Sequence, residues 1–206
     1  MWRHTYVMFP VTLVGPRVCW REMSPADAEA LHDLLVHPAV FDKTLDEDVP
    51  PADALRDYLR EQLGTLEDPE RARYKLALTL DGRVIGTGGI ELRGRHTGEV
   101  GYVLAHDQWG KGLATEAAAL LIDFAFDDLG LHRVIGHTDP ANIGSRRVLE
   151  KCGLSFEGVH RSDTLQRGEW RDSAAYAIVE DDPRPWTGQR GDGPGGSYAL
   201  RTAKTR

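Results

Sequence analysis

The chain has 206 residues, 41% of them hydrophobic and 28% charged, which fits one soluble globular domain large enough for a substantial core. Its formal charge of −7 argues against a nucleic-acid partner. The charge is uneven: residues 183–206 carry +4 and residues 1–182 carry −11, so the body favours cationic small molecules or peptides.

No charge-free apolar run approaches the roughly 20 residues that span a bilayer, and no membrane role is expected. Tyr6 to Val14 is mildly apolar, but Pro10 breaks it and no small-residue cleavage site follows, so it does not read as a signal peptide. Cys19 and Cys152 stand at unrelated positions, which suits reduced core thiols in the cytoplasm. No Cys/His cluster has metal-ligand spacing, and no metal is expected.

In chain order, Val11 to Met23 reads as a first strand. Ser24-Pro25 is a helix start, with Ser24 as N-cap, and Pro38 ends that helix. Leu55, Tyr58, Leu59 and Leu63 give a second helix over 51–63, stopped by Gly64. The Asp81-Gly82 turn joins strands 74–80 and 84–92, and a third strand follows over 97–104. A helix spans Gly110 to about Leu129. A strand over 134–138 and a helix over 142–152 come next. Strands over 154–160 and 170–179 complete the sheet, separated by a polar loop, Arg161 to Glu169. The order implies an α/β domain over residues 1–180: a mixed, mostly antiparallel sheet of about six to seven strands with helices on both faces. From Asp181 the composition turns to Pro, Gly, Arg and Ser, as in a disordered tail over 181–206.

One stretch carries chemistry. The third strand ends at a polar turn, and Trp109, Gly110, Lys111, Gly112, Leu113, Ala114 and Thr115 then open a helix. A helix start leaves backbone N–H groups without partners, and glycines let a large anion approach them, so the element suits a pyrophosphate. Lys111 adds a full positive charge. A tight strand-to-helix turn that uses glycine only for conformation is the alternative. No Walker-type Gly-x-x-x-x-Gly-Lys-Ser/Thr accompanies it, which disfavours a nucleotide-phosphate protein.

Three segments together resemble the GNAT superfamily of acetyl-CoA-dependent N-acetyltransferases, in the branch of bacterial ribosomal-protein N-terminal acetyltransferases. They are Glu99–Leu104 with Trp109–Ala117; Asn142–Gly153 with Phe156–Gly158; and Trp170–Asp172 with Tyr176. The likeness covers about Arg17 to Val179. It implies that acetyl-CoA is the co-substrate, with its pyrophosphate on Gly110–Thr115. It also implies that the third strand splays from the next and that the pantetheine pairs there with backbone near Val103 and Leu104. The acceptor amine would be a peptide or protein N-terminus, an antibiotic or a small metabolite. It would enter between the first two helices and the 161–169 loop. Monomer and homodimer are both open.

The chain departs from the family at two places. Trp109 stands where many members have Gln or Arg, and Leu149 stands where many carry the tyrosine that protonates the leaving thiolate. Asn142, Ser145, Leu149 and Cys152 share one helical face. Ser145 is therefore the candidate hydrogen-bond donor to the thiolate, with a small packing residue as the alternative. Asn142 is a pantetheine contact, an N-cap or both. Glu99, on one strand face with Gly101 and Val103, is the candidate base; His137 is the alternative base, and a structural carboxylate is the other reading of Glu99. A backbone N–H near Leu104 would stabilise the oxyanion. Cys152 reads as core. The missing tyrosine leaves a second function open, a non-catalytic acyl-CoA sensor.

Overall fold

The computed structural model describes residues 10–44, 48–68 and 70–186; the segment before Pro10 and residues 187–206 of the expected tail lie outside them. The strands are β1 (Thr12–Val14), β2 (Val18–Glu22), β3 (Arg73–Leu80), β4 (Arg83–Leu92), β5 (Thr97–Leu104), β6 (Arg133–Thr138), β7 (Ser155–Gln166) and β8 (Glu169–Val179). The helices are α1 (Ala28–Val36), α2 (Pro38–Phe41), α3 (Ala52–Leu63), α4 (Leu113–Asp123) and α5 (Ile143–Lys151). One sheet of eight strands runs β1-β2-β3-β4-β5-β6-β8-β7. Every neighbouring pair is antiparallel except β5–β6, which α4 joins as a crossover.

The mixed α/β architecture is the expected one, and the extra strand has a local cause. The single strand expected over 11–23 is two strands. Gly15-Pro16 makes a turn, closed by the Gly15 N–H donating to the Val18 carbonyl at 2.8 Å. The polar loop expected over 161–169 is the outer half of a hairpin. Arg167 and Gly168 form its two-residue turn at φ 50° and 76°. Strand pairing continues there over residues exposed on both faces, so no apolar alternation marks it. The first helix ends before Pro38 as expected: His37 is extended, and α2 then restarts the chain.

α4 is apolar nearly all round and lies against the sheet beside α5, while α1 and α3 cover the opposite face through Ala28, Leu31 and Leu59. Trp20 on β2, fully buried, donates its indole N–H to the Ala117 carbonyl of α4 at 2.9 Å. Trp20→Ala is expected to cost about 3–5 kcal/mol, through the cavity left in the core and the lost indole hydrogen bond. Denaturant unfolding measures it; a loss below about 1 kcal/mol would contradict that role. Beyond the last strand, Arg184 pairs with Asp123 at 2.9 Å and with Asp127 at 3.1 Å, near the end of α4.

The feature that positions the site is a wedge. β5 and β6 pair at only three positions, Thr97 with Arg133, Gly98 with Val134 and Glu99 with Ile135, and then diverge. On its other edge β5 stays paired with β4 as far as Leu104. Residues 100–104 of β5 thus present an open strand edge toward β6.

Candidate active site

The antiparallel ladder decides which backbone groups face the wedge. Arg93 N–H donates to the Thr97 carbonyl and Ala105 N–H to the Ile85 carbonyl, each at 2.8 Å. By alternation, odd-numbered residues of β5 bond to β4, and the main-chain groups of Tyr102 and Leu104 face the open edge. Of Val103 and Leu104, only Leu104 offers its backbone to the wedge; that of Val103 is turned to Thr87. Tyr102 holds the place expected for Val103, because the strand period is two.

Gly110 and Gly112 adopt φ of 75° and 77°, a region that favours glycine. A Cβ at Gly110 would meet nothing within 4 Å, and at Gly112 only the Arg17 guanidinium, at 3.6 Å. The helix expected from Gly110 begins at Leu113, with Gly112 as its N-cap. Leu113 and Thr115 turn buried side chains into the core, so they bring main-chain N–H groups to the loop, as does the half-buried Ala114. The loop is thus open on the side where an anion would sit. Lys111 is exposed and its Nζ lies 3.2 Å from Gln108 Oε1.

Two residues that sequence reasoning missed brace this loop. Glu116, 2% exposed in the first turn of α4, accepts from the backbone N–H of Arg17 and Val18 at 2.7 and 3.0 Å. It also accepts from Arg17 Nε at 2.8 Å, and Arg17 in turn donates to the Lys111 carbonyl at 3.0 Å. A carboxylate there also suits the helix dipole. The contact joins residues about a hundred positions apart, and no local pattern announces it. Trp109 donates its indole N–H to the Leu104 carbonyl at 2.9 Å, so the loop is tied to the end of the open strand.

On α5, the Asn142 side chain accepts the Ser145 N–H at 3.2 Å and so serves as N-cap. Ser145 is half-buried, with Oγ 3.3 Å from the hydroxyl of Tyr102. Burial pushes the Tyr102 phenol well above its usual range, so it remains a proton donor. Leu149 is core, 2% exposed. Cys152 is also core, and burial, with Asp123 adding, pushes its thiol up to about 12, in keeping with a packing residue. Tyr176 is fully buried, its hydroxyl bonded to Arg146 and Glu150, and the Asp172 carboxylate accepts the Ser162 N–H.

The two candidate bases touch each other. Glu99 Oε1 lies 3.0 Å from His137 Nδ1, and its Oε2 accepts from Arg93 Nε at 2.7 Å. The bonds to His137 and Arg93 hold the Glu99 carboxyl below the usual carboxylate range. The same bond from Glu99 holds His137 above the usual imidazole range, against partial burial. His160 lies beside His137, ring centroids 5.5 Å apart. A Cβ on neighbouring Gly101 would meet nothing within 4 Å, so this face of β5 has room for a substrate.

The acetyltransferase (GNAT) domain family matches residues 17–155. The chain belongs to that family. This GNAT protein is 36% identical over 139 residues to the "Probable N-acetyltransferase YjcK" of Bacillus subtilis (strain 168), covering 66% of the chain and 77% of that protein. It is 29% identical to the "Putative ribosomal N-acetyltransferase YdaF" of the same strain, over 86% of the chain and 97% of the relative. A solved GNAT-family acetyltransferase from Bacillus anthracis superposes with TM-score 0.72 at 27% identity, covering 82% of the chain and 98% of that structure. The GNAT chain is therefore an acyl-CoA-dependent N-acetyltransferase.

At the hairpin turn, Arg167 lies 3.8 Å over the Phe41 ring and donates to the Phe41 carbonyl at 2.7 Å, and Gln166 donates to the Thr44 carbonyl. The tip of β7–β8 therefore rests on α2. Among the described residues no helix is long and apolar enough to cross a membrane, and no group of three or more His, Cys, Asp or Glu is placed to hold a metal ion.

Proposed function

We propose that this enzyme acetylates the free α-amine of a peptide or protein in the cytoplasm, with His137 as general base and Glu99 as its positioning partner. The observation that carries the reading is the Glu99–His137 contact on the open face of β5, at the narrow end of the wedge. An amine is mostly protonated at neutral pH and attacks only after losing a proton. A carboxylate held low by its bonds to His137 and Arg93 is a weak base; an imidazole held above its usual range is a better one. With Nδ1 bonded to Glu99, Nε2 is left to take the proton, and Glu99 stabilises the imidazolium that results. Glu99 as the direct base gives way to this arrangement.

The bound acetyl-CoA supplies the thioester carbonyl that the amine attacks and the thiol that leaves. The N–H groups of Leu113, Ala114 and Thr115, with Lys111 and Arg17, hold the pyrophosphate. The Leu104 main chain, aimed at the wedge, pairs with the pantetheine and stabilises charge developing on the carbonyl. Ser145 donates to the departing sulfur, with Tyr102 behind it. Ser145→Ala is then expected to lower kcat about 10- to 100-fold, with KM for acetyl-CoA changed less than about threefold. An unchanged kcat would remove Ser145 from the chemistry.

The acceptor class draws support from the relative YdaF, named as a putative ribosomal N-acetyltransferase, and from the acidic body, which favours a cationic chain end. The test is release of CoA thiol on a panel of amines. Peptides with a free α-amine are expected to be acetylated, and the same peptides with a blocked N-terminus and one lysine are not. Spermidine turning over faster than every peptide would overturn the acceptor assignment. Acetyl-CoA binding without turnover on any amine would favour the sensor reading.

A further inference from the structure

We propose that His37 is a positioning residue for the cofactor loop, acting on it through His106 and Trp109; this deepens the acetyl-CoA reading and rests on it. The geometry is a ladder of aromatic rings. His37 stacks on His106 with centroids 4.8 Å apart and planes 14° from parallel. His106 meets Trp109 edge-on at 4.9 Å and 67°. Trp109 then donates to the Leu104 carbonyl at 2.9 Å. The ladder runs from the joint between α1 and α2, across the residues between β5 and α4, to the end of the open strand.

Three features give the ladder mechanical meaning. His37 is held in a stiff joint: it ends α1, precedes Pro38, and its carbonyl accepts the Val40 and Phe41 N–H groups, each at 2.9 Å. The loop it touches is poorly supported on that side. An open cavity of about 310 Å³ separates α1 from residues 105–107, with Ala30, Leu34, Val84 and Ala105 along it and Asp33 and Asp107 among its walls. Where side chains do not fill the space, the contact that spans it carries the positioning. The other end of the joint is clasped as well, since Phe41 of α2 lies under Arg167 of the hairpin tip. The β7–β8 hairpin tip and the cofactor loop are therefore connected through α2, His37 and His106, with Trp109 at the end of the path.

An aromatic pair of this kind contributes enough to change a binding constant roughly three- to tenfold. In the full-length protein, His37→Ala is expected to weaken acetyl-CoA binding by about that factor in titration calorimetry, with the apo melting temperature lowered by no more than a few degrees. His37→Phe keeps a ring in the stack and is expected to restore affinity. His106→Ala should weaken binding at least as much, and adding His37→Ala to it should cost nothing further, because the path is already cut. A second readout needs no ligand: the emission of Trp109, taken as the difference between wild type and Trp109→Phe, shifts to the red in His37→Ala. Wild-type affinity in His37→Ala, equal losses in His37→Phe and His37→Ala, or strictly additive losses with His106→Ala would overturn the proposal. If the wild type fails to bind acetyl-CoA while the Trp109 emission shifts as expected, the cofactor reading has failed and the mechanical link has not.

Discussion

Gly112→Asp is expected to abolish acetyl-CoA binding while the protein still folds. Gly112 caps α4 at φ 77°, where the backbone turns its N–H groups outward and a side chain would stand in the loop mouth. Aspartate is among the residues that tolerate this conformation best, so the fold survives. Its carboxylate, however, meets the place where the pyrophosphate would lie and sets like charge against like. It also comes within reach of Arg17, whose guanidinium is 3.6 Å from where the new Cβ falls, and neutralises that cation. An affinity loss of about 100-fold or more is expected by calorimetry, with a melting temperature within a few degrees of wild type. Gly112→Ala separates the causes. It carries the backbone strain of roughly 1 kcal/mol without the charge, so its affinity should fall far less. Equal losses for Ala and Asp would locate the effect in loop conformation rather than in phosphate binding.

His137→Gln should lower kcat by about 10²- to 10³-fold, the usual worth of a positioned base, with acetyl-CoA affinity intact. The Glu99→Gln variant carries the sharper information, because it predicts a direction. As the base, His137 must be neutral, so kcat at saturating substrates falls as pH drops through its raised pKa. Removing the Glu99 carboxylate removes the main cause of that rise. Arg93 still opposes the charged imidazole, and Asp163 favours it only from a distance. The acid limb of the profile therefore moves to lower pH in Glu99→Gln, while the plateau drops about tenfold because the ring loses its orienting partner. If Glu99 were itself the base, the variant would lose activity at all pH values and its residual profile would not move acidward. The full pH profile of kcat distinguishes the two.

How far the sequence disclosed this site depends on the range of each interaction. Gly110, Gly112 and the helix behind them were legible, because a turn with left-handed glycines is a local demand on the backbone. Asn142 was legible as an N-cap for the same reason. The Glu99–His137 contact was half visible. Both residues stood out as candidate bases, but only the three-position pairing of β5 with β6 brings them together, and register between strands separated by a helix is not written in either strand. Tyr102 was hidden by parity: the period of two puts it opposite Glu99, so attention to one face passed over the residue on the other. Arg17 and Glu116 left no trace, since a charged pair across about a hundred residues has no spacing to read. The hairpin at Arg167 reads as a loop in the sequence because its strands are exposed on both sides, and periodicity reports burial rather than strandedness.

The wedge between β5 and β6 is the centre of the account, and a crystal structure of the complex with CoA tests it most directly. The prediction is a pantetheine lying along residues 100–104 of β5, bonded to the main chain of Tyr102 or Leu104, the pyrophosphate on the N–H groups of residues 110–115, and the sulfur at Ser145 on the way to His137. CoA seated away from this edge, or a pyrophosphate bound by surface lysines with the glycine loop empty, would contradict it.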